Sequence, residues 1–391
     1  MAIEGTSEKR AGKIRLGMVG GGQGAFIGGV HRIAARIDGM FDLVAGAFSS
    51  TPEKSRASGA DLGIDPGRTY DDFKQMAIRE ARLKDGIEAV AIVTPNHMHA
   101  GPALEFLKRG IHVICDKPLT ATLAEAKKLT EAAEKSGALF VLTHNYTGYP
   151  MIRQMREMIA AGDLGELRLV QAEYVQDWLT EAVEATGQKQ ADWRTDPLRS
   201  GAGGAIGDIG THAFNLASFV SGLTLDKLAA DLHSFVPGRR VDDNAHIMLR
   251  FQGGAKGMIW ASQVAPGNEN GLRLRVYGTK GGLHWAQEDP NYLWYTPFGE
   301  PKRLLTRGGA GAGAAAARVT RIPGGHPEGY LEGFATIYAE AARAIEARRS
   351  GGNPGPEVLY PTVRDGLTGV AFVDACVRSS KRDGAWVTLA I

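Results

Sequence analysis

Cysteine is almost missing. Cys115 and Cys376 are the only two thiols in 391 residues, too few for a disulfide framework or a cysteine-based zinc site. A reduced, cytoplasmic protein is the expectation. Long apolar runs are missing as well. None approaches the ~18–20 residues that a spanning helix needs, so no membrane partner is expected. Met1 to Gly12 is polar, without an apolar signal core, so export is not expected either. Neither sign of charge is in excess. With 45 basic and 43 acidic residues the net charge is +2, which gives no field to attract nucleic acid. The 23% charged and 43% hydrophobic residues are ordinary globular values and exclude wholesale disorder. No internal repeat is visible.

Glycine, by contrast, is plentiful, with 52 residues. At ~100–200 residues per domain, the length suggests two domains or three. In the first, short apolar strands alternate with helical stretches. The strands lie near residues 13–20, 41–48, 86–94, 111–115 and 138–142, and Thr122 with Glu125 makes a capping box for one helix. Near-continuous apolar strands alternating with helices predict a doubly wound α/β domain with a parallel sheet, residues 1–145. Beyond it the pattern changes. Strands are predicted at 167–175, 227–234, 245–251, 257–262 and 271–277, interrupted by one helix over 208–221. Consecutive strands predict an α+β domain with a large, mostly antiparallel sheet, residues 146–391. Gly308 to Ala317 reads as a flexible surface loop. Helices over 330–348 and 361–380 close the chain, long enough to pack back on the first domain.

Glycine clusters where chemistry is expected. Gly20-Gly21-Gly22-Gln23-Gly24-Ala25 follows the first strand and opens a helix. It fits Gly-x-Gly-x-x-Ala, a dinucleotide fingerprint, in which glycines let the backbone approach a pyrophosphate seated on the helix N-terminus. Gly20, Gly22, Gln23, Gly24 and Ala25 are therefore cofactor candidates. The domain is expected to be of the Rossmann type, with NAD or NADP as cofactor. The second strand ends in Ser49 and Ser50, with Lys54 beyond, where an acid for the adenosine ribose is usual. A 2′-phosphate is thus not repelled. Thr51 and Pro52 also suit the start of a helix.

Further candidates lie at the carboxyl ends of the other strands, the ligand edge of such a sheet. Thr94, Asn96 and His99 close the third strand, where they either contact the cofactor or cap a turn. Asp116 and Lys117 close the fourth, and Asn145 and Tyr146 the fifth. A lysine there can hydrogen-bond a substrate oxygen, or can be a plain turn residue. Asp208 and His212, four apart on a predicted helix, would share one face. A carboxylate and an imidazole together suit alcohol oxidation, in which the hydroxyl proton must be taken up. A capping Asp and a core His are the alternative. Trp193 and Arg194 offer an aromatic face and a planar cation, or simple packing. His97 and His99 have no third ligand by spacing, so no metal site is expected. His326 to Tyr330 opens a late helix that could return to the site or serve structure alone.

The order of the glycine loop, Thr94-Pro95-Asn96, Asp116-Lys117-Pro118 and Gly207-Asp208-Ile209-Gly210-Thr211-His212 resembles the Gfo/Idh/MocA family of NAD(P)-dependent oxidoreductases over nearly the whole chain. The family usually has Glu where Asp116 stands. The resemblance implies Lys117, Asp208 and His212 as catalytic residues, with His212 the proton acceptor. It also implies Lys117, Tyr146, Trp193, Arg194, Asp208 and His212 around the substrate. The implied reaction is oxidation of a secondary hydroxyl on a cyclic polyol or sugar, such as an inositol, a pyranose or a glycoside. A glycosidase using NAD transiently and a dinucleotide-sensing regulator are the other readings. A homo-oligomer, dimer or tetramer, paired through the broad second sheet is also expected. His212, pulled up by Asp208 and down by a cationic nicotinamide, is expected to titrate between about pH 6 and 8.

Overall fold

The computed structural model describes residues 12–391. Five parallel strands build the first sheet: β1 (Ile14–Gly20), β2 (Phe41–Ala47), β3 (Ala89–Val93), β4 (His112–Cys115) and β5 (Phe140–Leu142). Their spatial order is β2-β1-β3-β4-β5. All five residues of β3 are buried, as a parallel strand covered on both faces requires. Helices α1 (Phe26–Ile37), α2 (Pro52–Asp61), α3 (Phe73–Glu80), α4 (Ala100–Leu107) and α5 (Leu123–Ser136) fill the connections. Thr122 caps α5 as expected, accepting the Glu125 N–H. The chain runs from β1 outward to β2, then returns to β3 on the other side of β1. The carboxyl ends of β1 and β3 therefore diverge into a crevice, where this topology binds ligands.

A short turn, Asn145–Gly148, leads from β5 to α6 (Pro150–Ala160) and the second sheet. That sheet has β6 (Leu167–Val175), β7 (Leu225–His233), β8 (Asn244–Phe251), β9 (Lys256–Ser262), β10 (Gly271–Gly278), β11 (Gly281–Ala286), β12 (Tyr292–Pro297) and β13 (Arg303–Thr306). The order is β13-β12-β11-β10-β6-β9-β8-β7. Only β6 and β9 pair in parallel. The last three strands go beyond the five predicted. β11 opens on two glycines and β12 alternates half-exposed aromatics, so neither shows a strong apolar period.

Between β6 and β7 lie α7 (Lys189–Arg194), α8 (Pro197–Ser200) and α9 (Thr211–Ser221). The helix expected from Asp208 starts instead as a π-helical turn, Ile206–Gly210, that runs into α9. The expected surface loop at 308–317 is also corrected. Ala314–Val319 forms helix α10, with Ala316 and Val319 buried. Alanine is the best helix former, and side chains of α6 serve the helix start: Gln154 accepts the Gly313 N–H and Glu157 the Ala315 N–H.

Two long helices close the chain, and the second packs into both cores. In α11 (Tyr330–Arg349), Phe334, Ile337, Tyr338 and Ile345 join the core of the first sheet beside α1. In α12 (Val363–Ser380), Val363, Leu367 and Val370 face the first sheet's core, while Phe372, Ala375 and Cys376 face the second's. Both thiols are free and buried. Among the described residues no helix is long and apolar enough to cross a membrane.

Candidate active site

A cleft of about 1240 Å³ opens at the carboxyl edge of the first sheet and is closed by the second. The first sheet contributes Gly20, Gly22, Gln23 and Ala25 from the loop after β1. It adds Ser49, Ser50 and Lys54 after β2, Thr94 and Asn96 after β3, and Asp116 and Lys117 after β4. Asn145, Tyr146, Trp193, Arg194, Asp208 and His212 line the rest of the expected site. The structure thus brings together residues spread over almost two hundred positions of chain.

Two predicted cofactor residues do not line this cleft. Gly24 sits at a smaller neighbouring recess, its φ of +75° making the turn that carries the loop into α1. His99 is fully buried. Its Nδ1 lies 2.7 Å from the Pro118 carbonyl and its Nε2 2.9 Å from that of Thr94. Both ring nitrogens thereby face backbone carbonyls at the ends of β3 and β4, and the ring's one N–H donates to one of them. The short helical turn Asn96–Met98 puts His97 on the cleft and rotates His99 inward.

The loop after β1 fits a dinucleotide in its backbone. A Cβ on Gly22 would stand 2.6 Å from Ser58 Oγ and one on Gly28 2.4 Å from Gly21 Cα, so neither position admits a side chain. Helix α1 begins without a side-chain cap and without an acid in its first turn, which leaves its N–H groups to an anion. The Asn145 Nδ2 is buried at the cleft with no partner among the described residues, and such an orphaned donor calls for a ligand acceptor. At the adenosine end Asp71 and Asp72 also line the cleft, which the sequence reading missed. Both are already engaged: Asp72 caps α3, and Asp71 pairs with Arg56 at 2.5 Å.

The second half of the cleft centres on Asp208. Lys117 Nζ donates to the Asp208 carbonyl at 2.6 Å and to Oδ1 at 3.0 Å. Arg194 Nε and Gln263 Nε2 donate to Oδ2 at 3.2 and 3.0 Å. Burial alone would raise the Asp208 pKa, but the Lys117 and Arg194 charges outweigh it and hold the carboxyl well below the usual range. The first turn carrying Asp208 is itself anchored. Asp242 Oδ1 and Oδ2 accept the Gly204 and Ile206 N–H groups at 2.7 and 2.8 Å. Burial pushes the Asp242 carboxyl up to about 6.

His212 differs from expectation. The Asp208 carboxylate turns to Lys117, Arg194 and Gln263, and the imidazole of His212 meets His144 instead, Nδ1 to Nδ1 at 3.5 Å. Burial and the Lys117 ammonium push His212 well below its ordinary pKa. The expected titration between pH 6 and 8 is therefore corrected: His212 is neutral there. Arg194 also packs on the Trp193 ring at 4.3 Å and donates to Gln190, so it is not a free anion receptor.

The floor beyond His212 is a chain of uncharged groups. The Tyr146 and Tyr174 hydroxyls are 2.6 Å apart. Tyr174 Oη and Gln176 Nε2 donate to Asn270 Oδ1 at 2.8 and 2.9 Å. Asn270 Nδ2 donates to Gln287 at 3.2 Å. Tyr174, Gln176, Asn270 and Gln287 were missed in the sequence. One signal was available: Val170, Ala172 and Tyr174 are the inward face of β6, and Gln176 continues that period into the cleft. In the late segment the two readings divide by residue. Tyr330 reaches the cleft, while Glu328 is buried against Arg307 at 3.0 Å.

Residues 14–145 match the model of an oxidoreductase family with an NAD-binding Rossmann fold, and residues 152–284 match the Gfo/Idh/MocA C-terminal domain. The chain is similar to the crystal structure of an oxidoreductase from Sinorhizobium meliloti. They are 68% identical with a TM-score of 0.89, over 97% of this chain and 100% of that one. An inositol dehydrogenase homolog from Azotobacter vinelandii, complexed with NAD+, is 38% identical with a TM-score of 0.93, over 97% and 98%. A levoglucosan dehydrogenase from Pseudarthrobacter phenanthrenivorans (strain DSM 18606 / JCM 16027 / LMG 23796 / Sphe3) is 27% identical over 70% of this chain and 74% of its own. The protein belongs to the Gfo/Idh/MocA family of oxidoreductases, with the NAD-binding Rossmann domain of that family.

Proposed function

We propose that the protein oxidises a secondary hydroxyl of a cyclic polyol or sugar, in the class of inositols, pyranoses and glycosides. The observation that carries this reading is the pairing, in one cleft, of a Lys117–Asp208 ion pair and a neutral His212 with an uncharged floor of tyrosines and amides. Such a floor suits a neutral ligand with many hydroxyls. The relatives named for inositol and levoglucosan, both cyclic and hydroxyl-rich, support the same class.

A bound nicotinamide supplies the two-electron acceptor, and the protein's groups handle the proton. Neutral His212 accepts it from the substrate hydroxyl. Lys117, held in place by both oxygens it reaches on Asp208, donates a hydrogen bond to the same substrate oxygen as negative charge grows there. Asn145 Nδ2 offers its free N–H to the bound ligands. Ser49, Ser50 and Lys54 leave room for either NAD or NADP.

The test is absorbance of reduced cofactor with a panel of inositols, aldoses and glycosides, NAD and NADP run separately. Turnover on a cyclic polyol or sugar is the expected result. Cleavage of a glycoside without net cofactor reduction would replace this reading with the glycosidase. We infer further a homo-oligomer in the cytoplasm. The outer face of the second sheet exposes Leu169, Met248 and Met258, and light scattering showing a monomer would overturn that assembly.

A further inference from the structure

We propose that His144 is a positioning residue that fixes the tautomer of His212, so that His212 presents a bare Nε2 to the substrate hydroxyl. The inference rests on His212 being the proton acceptor. Both rings are buried and meet edge to face, with centroids 5.3 Å apart. The only polar contact between them is Nδ1 to Nδ1 at 3.5 Å.

A neutral imidazole carries one N–H, on either nitrogen. Two nitrogens facing each other attract only when one bears a proton and the other does not. Two protons clash, and two lone pairs repel. Both rings are neutral near pH 7. Burial and the Lys117 ammonium push His144 down to about 3, with Asp116 opposing, and His212 is also depressed. The tautomers of the two rings are therefore linked.

Two linked states exist. If His144 donates, His212 carries its proton on Nε2 and has no lone pair left for a substrate proton. If His212 donates from Nδ1, its Nε2 is bare, and His144 carries its own proton on Nε2. Only the second state serves the reaction. It also improves during the reaction. As His212 Nε2 gains the hydroxyl proton, its Nδ1–H becomes a stronger donor, and the contact with His144 tightens as charge develops. The arrangement has the logic of a base oriented by a third group, with a neutral acceptor in place of a carboxylate.

The test uses ring 15N chemical shifts of the full-length enzyme with NAD bound, His212 being assigned by the His212→Asn variant. The proposal expects the Nδ1–H tautomer for His212 in the wild type. An Nε2–H tautomer would overturn it, whatever the activity. His144→Asn places an acceptor oxygen near the same spot and should keep the tautomer and kcat within a few-fold. His144→Leu should scramble the tautomer and lower kcat by roughly 10²-fold, with the Kd for NAD unchanged. Retained kcat in His144→Leu would also overturn the proposal. Should His144→Leu not fold, the wild-type shifts alone decide. Failure of the underlying reading looks different: His212→Asn would keep its kcat while the His144 tautomer link stood.

Discussion

The dinucleotide wall and the substrate wall of the cleft are made of different material. The first is mostly backbone: a glycine loop, an uncapped helix start and the ends of parallel strands. It fits because side chains are missing, as at Gly22 and Gly28. The second is side chain throughout, a hydrogen-bonded run from Asp208 through Gln263 and Gln176 to Asn270 and the two tyrosines. A wall made of backbone leaves few side chains to exchange. A wall made of side chains can be rewritten one residue at a time, and substrate choice belongs there.

The contrast predicts separable losses. The largest is at the seam. Lys117→Met should lower kcat by ~10²–10⁴ while NAD binding holds within a few-fold. Stopped-flow turnover with calorimetric NAD titration measures both, and a variant keeping more than half of wild-type kcat would remove Lys117 from the mechanism.

Next comes the anchor beneath the substrate wall. Asp242 has its carboxyl raised from 3.8 to about 6 by burial, with Asp243 and the Cys376 thiol as its titratable neighbours. The folded state therefore holds this proton more tightly than the unfolded chain. The resulting stability is complete below about pH 4 and is lost as pH rises through about 6. Asp242→Asn, which cannot ionise, should lack this loss. Between pH 4 and 7 the wild type should fall relative to the variant by about 2 kcal/mol. Denaturant melts at each pH measure it, and parallel curves would contradict the burial argument.

The two walls were unequally legible in sequence. The glycine loop, Asp116-Lys117 and Gly207 to His212 are contiguous, so local pattern sufficed to place them. Tyr174 and Asn270 are bonded across 96 positions of chain, and nothing local to either marks the other. His99 failed for a different reason. A single helical turn decides whether His97 or His99 faces the cleft, and spacing alone does not fix that phase. The alanine run at 314–317 was misjudged because its helix depends on α6 side chains.

Smaller effects sharpen the contrast. Gln176→Ala should raise the KM for the sugar or polyol about tenfold, leaving kcat and the KM for NAD nearly untouched. A matching rise in the KM for NAD would mean the walls are not independent. Ser49→Asp should act in the opposite sense. The new carboxylate accepts a ribose hydroxyl and repels a 2′-phosphate, shifting preference toward NAD by several-fold with no change in substrate KM. An unmoved NADP-to-NAD ratio would show that Ser49 does not face the ribose.

In the proposed reaction a neutral His212 takes the hydroxyl proton. The direct measurement is kcat/KM for oxidation against pH, in the wild type and in His212→Asn. A base works when deprotonated, so its activity falls as pH drops through its pKa. With that pKa pushed well below the ordinary histidine range, no His212-dependent limb is expected between about pH 6 and 8. His212→Asn should be lower by ~10²–10⁴ across that range. A limb in that window that disappears in His212→Asn would show a charged His212, and a variant with most of its activity intact would show that the proton goes elsewhere.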